Sequence, residues 1–186
     1  MTIYIARHGQ DNDTVRGGWS NGELTNLGIK QSKLLAEELQ KDENKYNIKN
    51  VFSSDIKRAK QTTEIISDKL NVPVKFLSEF REINNGDLAG MDNKLASKKY
   101  PDLYYRNLEW YECYPNGESP KEFFERISNA WIKFTQSVSG YESNVLLVTH
   151  AGVINIIRCI IDNTEYSNKN KYPAIPSAKI ALEYLQ

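Results

Sequence analysis

Short apolar runs alternate along the chain with longer stretches of helical periodicity. Ile3–Ala6 is apolar at four successive positions and reads as a strand buried on both faces. It stops at Arg7-His8-Gly9, and the chain then turns polar. From Leu24-Thr25 a helical pattern opens, which puts Leu27, Leu34, Leu35 and Leu39 on one buried face with Thr25 as N-cap. Asn50–Ser53 predicts a second strand, and the next helix carries Ile56, Ala59, Thr63, Ile66 and Leu70 at helical spacing. Val72–Phe76 predicts a third strand, which Pro73 places at an edge or at a strand start. Residues 84–118 lose this periodicity. Tyr100, Tyr104, Tyr105, Trp110, Tyr111 and Tyr114 crowd there among glycines and prolines, which predicts an insertion with one or two short helices. Ser119-Pro120-Lys121-Glu122 is a capping box with proline at the first helical position. The helix it opens turns Phe123, Ile127, Trp131, Phe134 and Val138 inward. A strand at Val145–Val148, an apolar helix over 152–161, a polar connection over 163–176 and a last strand over 179–185 complete the pattern.

Strands that alternate with helices imply an α/β chain with a largely parallel sheet covered on both faces. The two most apolar strands, 3–6 and 145–148, suit its centre. A length of 186 residues predicts one domain, 1–186, with a sizeable core. The formal net charge of +0 supplies no global field to draw the chain onto nucleic acid or an anionic membrane, so any basic site is local. Cys113 and Cys159 form no C-x-x-C pair and read as reduced thiols of a cytoplasmic protein. No basic n-region with an apolar h-region opens the chain, no apolar run approaches membrane-spanning length, and no coiled-coil repeat marks an assembly.

The chemistry gathers at predicted strand ends. The chain has two histidines, His8 and His150, and both follow a buried-strand pattern and precede a glycine within two residues. In open α/β sheets, ligands bind beyond the carboxyl ends of the strands, where neighbouring connections diverge to opposite faces. If the two strands are neighbours, both imidazoles meet in one crevice. Ser53-Ser54 ends a third strand at the same rim and caps the following helix, and Arg58 lies in that helix's first turn. Arg7, Arg58, His8, His150 and a helix N-terminus, with no carboxylate from these motifs, make an anion site suited to phosphate. A neutral imidazole pointing into such a site can attack phosphorus with one ring nitrogen while the other donates its proton to a fixed acceptor. The arginines and a protonated His150 would neutralise the equatorial oxygens. Glu82, after the third strand, is the candidate to protonate the leaving group and later to take a proton from water. Two histidines without a neighbouring Cys or carboxylate make no ordinary zinc site, and no Walker-A pattern is present.

Six ordered pieces carry a resemblance: R-H-G at 7–9, L-T-N-L-G-I-K-Q at 24–31, S-S-D-I-K-R-A-K-Q-T at 53–62, R-E-I-N-N-G-D-L-A-G at 81–90, P-N-G-E-S at 115–119 and V-T-H-A-G at 148–152. In these the chain resembles the histidine phosphatase, or phosphoglycerate mutase-like, superfamily over nearly its whole length. The resemblance implies a three-layer α/β/α domain that needs no metal or other cofactor. It implies His8 as the phosphate acceptor, a pocket of Arg7, Arg58 and His150, and Glu82 as the proton donor. Gln10 and Thr14 stand where relatives often carry glutamate and asparagine, and they join Ser53 as candidate substrate contacts. The family's W-E-G stands here as Leu88-Ala89-Gly90, and its H-G-G as His150-Ala151-Gly152. The expected activity is hydrolysis of a small phosphorylated organic molecule through a phosphohistidine. The alternatives are a phosphoglycerate-type mutase and a non-catalytic phosphate-binding module. The shorter insertion, and REINNG in place of an E-R-H-Y-G-type stretch, favour water as the acceptor.

Overall fold

The structure is a computed structural model and describes residues 1–185. In chain order it runs β1 (Thr2–Arg7), α1 (Asn26–Lys41), α2 (Glu43–Tyr46), β2 (Ile48–Ser53), α3 (Lys57–Leu70), β3 (Val74–Phe76), α4 (Asn93–Lys99), α5 (Pro120–Val138), β4 (Asn144–Thr149), α6 (Ala151–Ile161) and β5 (Ile180–Leu185). Single 3-10 turns stand at Ser78–Phe80 and Gly86–Leu88. The five strands form one sheet in the order β3-β2-β4-β1-β5, parallel throughout except for β5, which runs antiparallel to β1.

Successive side chains of a strand point to opposite faces, so a strand apolar at every position serves two cores. On β1, Ile3 and Ile5 join one cluster with Val145 and Leu147 of β4, beneath α5 and α6. Tyr4 and Ala6 join the other with Leu146 and Val148, beneath α1 and α3. The arrangement is helix layer, sheet, helix layer. Phe123, Ile127, Trp131, Phe134 and Val138 of α5 are all buried in the first core, and full burial of side chains of this kind contributes roughly 1.5–3 kcal/mol each. Both expected caps form. Thr25 Oγ1 accepts the Gly28 N–H at 3.0 Å, and Ser119 and Glu122 close a reciprocal capping box.

Two expectations fail. Leu27 and Leu34 are half exposed, at 52% and 53%. The buried face of α1 is Gly28, Ser32, Leu35, Ala36 and Leu39. Small residues carry much of it because α1 approaches the β1 turn closely. A Cβ on Gly9 would lie 2.7 Å from Ser32 Oγ, so the glycine makes room for α1. The connection over 163–176 carries no helix or strand, but it is well packed, with Tyr166, Asn168 and Ile175 buried in it. Asn168 Nδ2 donates to the Tyr105 and Leu108 carbonyls at 2.8 and 2.9 Å, which ties this segment to the insertion. Finally, the N-cap of α3 is Ile56 rather than a serine, although Ser54 Oγ does accept the Ile56 N–H at 3.3 Å.

Candidate active site

β1 and β4 are neighbours, paired from Ile3 with Val145 to Arg7 with Thr149. The chain leaves β1 for α1 on one face and leaves β4 for α6 on the other. Adjacent connections that diverge open a crevice at the strand ends, and both histidines stand in it. Their ring centroids are 5.1 Å apart, and the His8 N–H extends the strand ladder to the Thr149 carbonyl at 3.0 Å. His8 Nδ1 lies 2.7 Å from the Gly9 carbonyl oxygen. A carbonyl can only accept, so Nδ1 holds the ring proton and Nε2 keeps a free lone pair.

That lone pair faces Arg58, whose Nε donates to His8 Nε2 at 3.2 Å. The guanidinium is only 2% exposed. It is fixed by donation from Nη2 to the Gly18 carbonyl at 2.9 Å, with Nη1 directed at Ser20. Arg7 Nη1 donates to the Ile175 carbonyl at 2.8 Å. Burial first, then the charges of Arg58 and Arg7, hold the His8 pKa well below the usual imidazole range. The same burial, with Arg58 next, lowers His150 well below it too, which favours the neutral ring in the free pocket. Its Nε2 lies 2.8 Å from Ser54 Oγ. Ser54 Oγ also accepts the Ile56 N–H at 3.3 Å, and a hydroxyl has a second lone pair, so either neutral tautomer of His150 satisfies this contact.

Glu82 reaches the same crevice from beyond β3. Its Oε2 accepts the Gly152 N–H at 3.0 Å in the first turn of α6, and Oε1 accepts the Ile83 N–H at 3.1 Å. The fit is close: a Cβ at 152 would come within 3.0 Å of Glu82 Oε1, so an alanine there would displace the carboxylate. The Glu82 carbonyl is held by Trp19 Nε1 at 2.7 Å and Arg126 Nη2 at 3.1 Å. Arg126 in turn grips both Glu118 oxygens at 2.7 and 2.9 Å and the Glu79 and Arg81 carbonyls at 2.7 and 3.0 Å. Glu118 belongs to P-N-G-E-S, so that piece acts by bracing the segment that carries Glu82.

A cleft of about 360 Å³ is lined by Arg7, His8, Arg58, Glu82 and Ala151, and also by Arg16 and Asp11. Sequence reasoning missed both of these last residues. Asp11 lies 3.4 Å from Arg58 Nε, so the crevice does contain a carboxylate besides Glu82. Arg16 stacks its guanidinium 4.0 Å above the Tyr104 ring. Among the described residues, six buried side-chain polar atoms have no hydrogen-bond partner, and four of them belong to this site: Arg7 Nε, Arg16 Nε, Arg16 Nη2 and His150 Nδ1. The three arginine nitrogens among them are donors.

Two candidate contacts, Ser53 and Thr14, are turned elsewhere, and a third, Gln10, is held by its backbone. Ser53 Oγ donates to the Ser54 carbonyl at 2.8 Å, and Ser54 is the serine that meets a histidine. Thr14 is exposed, and its hydroxyl donates to Asn12 Oδ1 at 2.9 Å. Gln10 fixes the entry to α1 through its backbone, with its N–H on Gln31 Oε1 at 2.9 Å and its carbonyl accepting the Thr25 N–H at 2.9 Å. Among the described residues, no group of three or more His, Cys, Asp or Glu side chains could hold a metal ion.

A family model described as "Histidine phosphatase superfamily (branch 1)" matches residues 3–184. The chain belongs to the histidine phosphatase superfamily. A Schizosaccharomyces pombe protein named "Probable phosphatase C1687.21" is 30% identical over 166 residues, spanning 85% of this chain and 72% of that one. The "Metal-independent phosphoserine phosphatase" of Arabidopsis thaliana is 29% identical over 174 residues, spanning 90% and 71%. In fold the chain is similar to the solved structure of Bacillus stearothermophilus YhfR, with a TM-score of 0.81 at 22% identity over 96% of this chain and 88% of that one. In this histidine phosphatase superfamily member the six sequence pieces converge on one rim. Thr62, which closes the third piece, accepts the Gly9 N–H at 2.9 Å and donates to the Arg58 carbonyl at 2.9 Å, so it couples the two ends of the pocket.

Proposed function

We propose that this chain hydrolyses phosphomonoesters of small organic molecules through a phosphohistidine at His8, without a metal. The observation that supports it most strongly is the set of orphaned donors. An unsatisfied buried donor costs about 1–3 kcal/mol, and three of them belong to Arg7 and Arg16, which line the cleft with His8 and Arg58. A phosphoryl group, with several acceptor oxygens and negative charge, satisfies them together.

In the proposed reaction the His8 Nε2 lone pair attacks phosphorus and the ester P–O bond breaks. The Nδ1–H bond to the Gly9 carbonyl holds the productive tautomer and stabilises positive charge on the ring. Arg7, Arg58 and His150 surround the equatorial oxygens, and entry of a dianion draws a proton onto His150. Glu82 gives its proton to the departing alkoxide. In the second half its carboxylate takes a proton from water as the water attacks phosphorus, the N–P bond breaks, and inorganic phosphate leaves. The two free thiols, one exposed and one buried, suit a reducing cytoplasmic setting. No helix among the described residues is long and apolar enough to cross a membrane.

The test is turnover of an aryl phosphate with chelator present, together with acid-labile labelling of the protein. Native protein should release phosphate undiminished by chelator and carry label, and His8→Ala should do neither. Inert native protein, with phosphate affinity unchanged in His8→Ala, would establish a binding module instead. Full turnover of a phosphoglycerate ester to its isomer with little free phosphate would establish a mutase.

A further inference from the structure

A second cavity of about 490 Å³ adjoins the phosphate cleft. Ala151 lines the cleft, and Gly152, the next residue and the anchor of Glu82, lines the cavity. On the other side the stacked pair Arg16–Tyr104 forms the divide, with the guanidinium in the cleft and the ring in the cavity. A group leaving toward Glu82 therefore stands at the mouth of this second space.

The walls of the cavity are chemically uniform. Of its ten lining residues, four are tyrosines and four are asparagines, and Arg106 alone is charged. No carboxylate lines it, which disfavours a cationic leaving group such as an amino alcohol. The walls are also held in place. Tyr105 and Tyr166 share a hydrogen bond of 2.9 Å, Tyr166 stacks on Tyr172 at 5.5 Å, and Asn168 clamps the two loops together. Asn155 Oδ1 is the informative atom. It is buried with no partner, and unlike the arginine orphans of the cleft it is an acceptor. Asn155 lies on α6 three residues after Gly152, and so on the same helix face.

We propose that this chamber receives the leaving group and that the leaving group is a neutral, hydroxyl-bearing sugar ring, with Asn155 Oδ1 accepting one of its hydroxyls. The inference rests on the phosphatase reading above. Aromatic faces take the apolar C–H faces of such a ring, and amides take its hydroxyls. The volume falls within the roughly 300–1,000 Å³ range of small-molecule sites. A three-carbon acid would leave most of it unfilled.

The experiment compares kcat/KM for ribose 5-phosphate, glucose 6-phosphate and adenosine 5′-monophosphate with that for phosphoserine, 3-phosphoglycerate and an aryl phosphate, in native protein and in Asn155→Ala and Asn155→Leu. The sugar-bearing esters should exceed the three-carbon esters at least tenfold. Both variants should lower the ratio of sugar-bearing ester to aryl phosphate by about tenfold, the worth of one hydrogen bond. Preference for adenosine over free ribose would identify a nucleoside, and the reverse a simple sugar. Equal rates for sugar-bearing and three-carbon esters, or an unmoved ratio in both variants, would overturn the inference while leaving the phosphatase reading intact. If no ester turns over, that reading falls, and calorimetry still judges the chamber. Ribose 5-phosphate must bind more tightly than inorganic phosphate and lose that margin in Asn155→Ala, or the inference fails too.

Discussion

Replacing Gly152 with alanine removes no polar side chain and substitutes a better helix former, yet it should impair the reaction selectively. The added Cβ comes within 3.0 Å of Glu82 Oε1 and to 3.2 Å of its Cδ, whereas ordinary contact begins at 3.4 Å. The same Cβ would also lie 3.2 Å from the Phe123 ring, so it is crowded on a second side. Glu82 must therefore retreat by roughly half an ångström or more, and its 3.0 Å bond from the Gly152 N–H weakens. Displacements approaching 1 Å in a catalytic constellation cost on the order of 10²-fold, and a general acid contributes about 10²–10⁴-fold. Only poor leaving groups need that acid. The expected result is a loss of about 10²-fold in kcat/KM for an alkyl phosphate, a loss of under about threefold for 4-nitrophenyl phosphate, and little change in Tm. Glu82→Gln should reproduce the pattern, and the double variant should lose little more than either alone, because both changes act through one carboxylate. Equal losses on the two esters, or additive losses in the double variant, would refute the proposed coupling of Gly152 to proton donation.

Three further outcomes follow from the same geometry. Asp11→Asn should tighten inorganic phosphate several-fold in calorimetry, because the carboxylate 3.4 Å from Arg58 Nε competes with the anion; unchanged affinity would show that water already screens the pair. The pKa values of His8 and His150 are both depressed from 6.5, chiefly by burial, so the unfolded chain binds more protons and stability falls as pH drops below about 6.5. Each imidazole contributes up to about 1.4 kcal/mol per pH unit, so urea unfolding of His8→Gln between pH 6.5 and 5 should show a shallower pH slope than native protein, and an identical slope would contradict the assignment. Arg126→Ala should cost about 2–4 kcal/mol in the same unfolding assay and should lower alkyl phosphate turnover more than aryl, since it removes the guanidinium from Glu118 and leaves the Glu82 carbonyl held by Trp19 alone. A variant that is destabilised but shifts both esters equally would confine Arg126 to folding.

The sheet was legible because Ile3–Ala6 of β1 and Val145–Val148 of β4 are apolar at successive positions, and runs that short and unbroken mark strands covered on both faces. The two histidines were legible as a pair because each ends one of those strands. Other features depended on contacts that no local pattern encodes. Leu27 and Leu34 looked like core, but the close approach of α1 to Gly9 places glycine, serine and alanine at the interface instead. Ser53 and Ser54 are chemically identical in sequence, and the one-residue phase at the end of β2 decides which hydroxyl meets His150. Arg16 sits in a polar stretch without periodicity, and its partner Tyr104 is 88 positions away. Tyr166 and Asn168 looked like linker because their packing partners, Tyr105 and Leu108, lie about 60 residues upstream.

The two imidazoles hang from adjacent parallel strands, and their 5.1 Å spacing is close to the ~4.8 Å interval at which hydrogen-bonded strands lie side by side. The main chain therefore brings the two rings within reach of one small ligand, and their rotamers set the rest of the spacing. Loops around the rim can drift, lengthen or exchange residues over evolutionary time without parting the two strand ends that carry these rings.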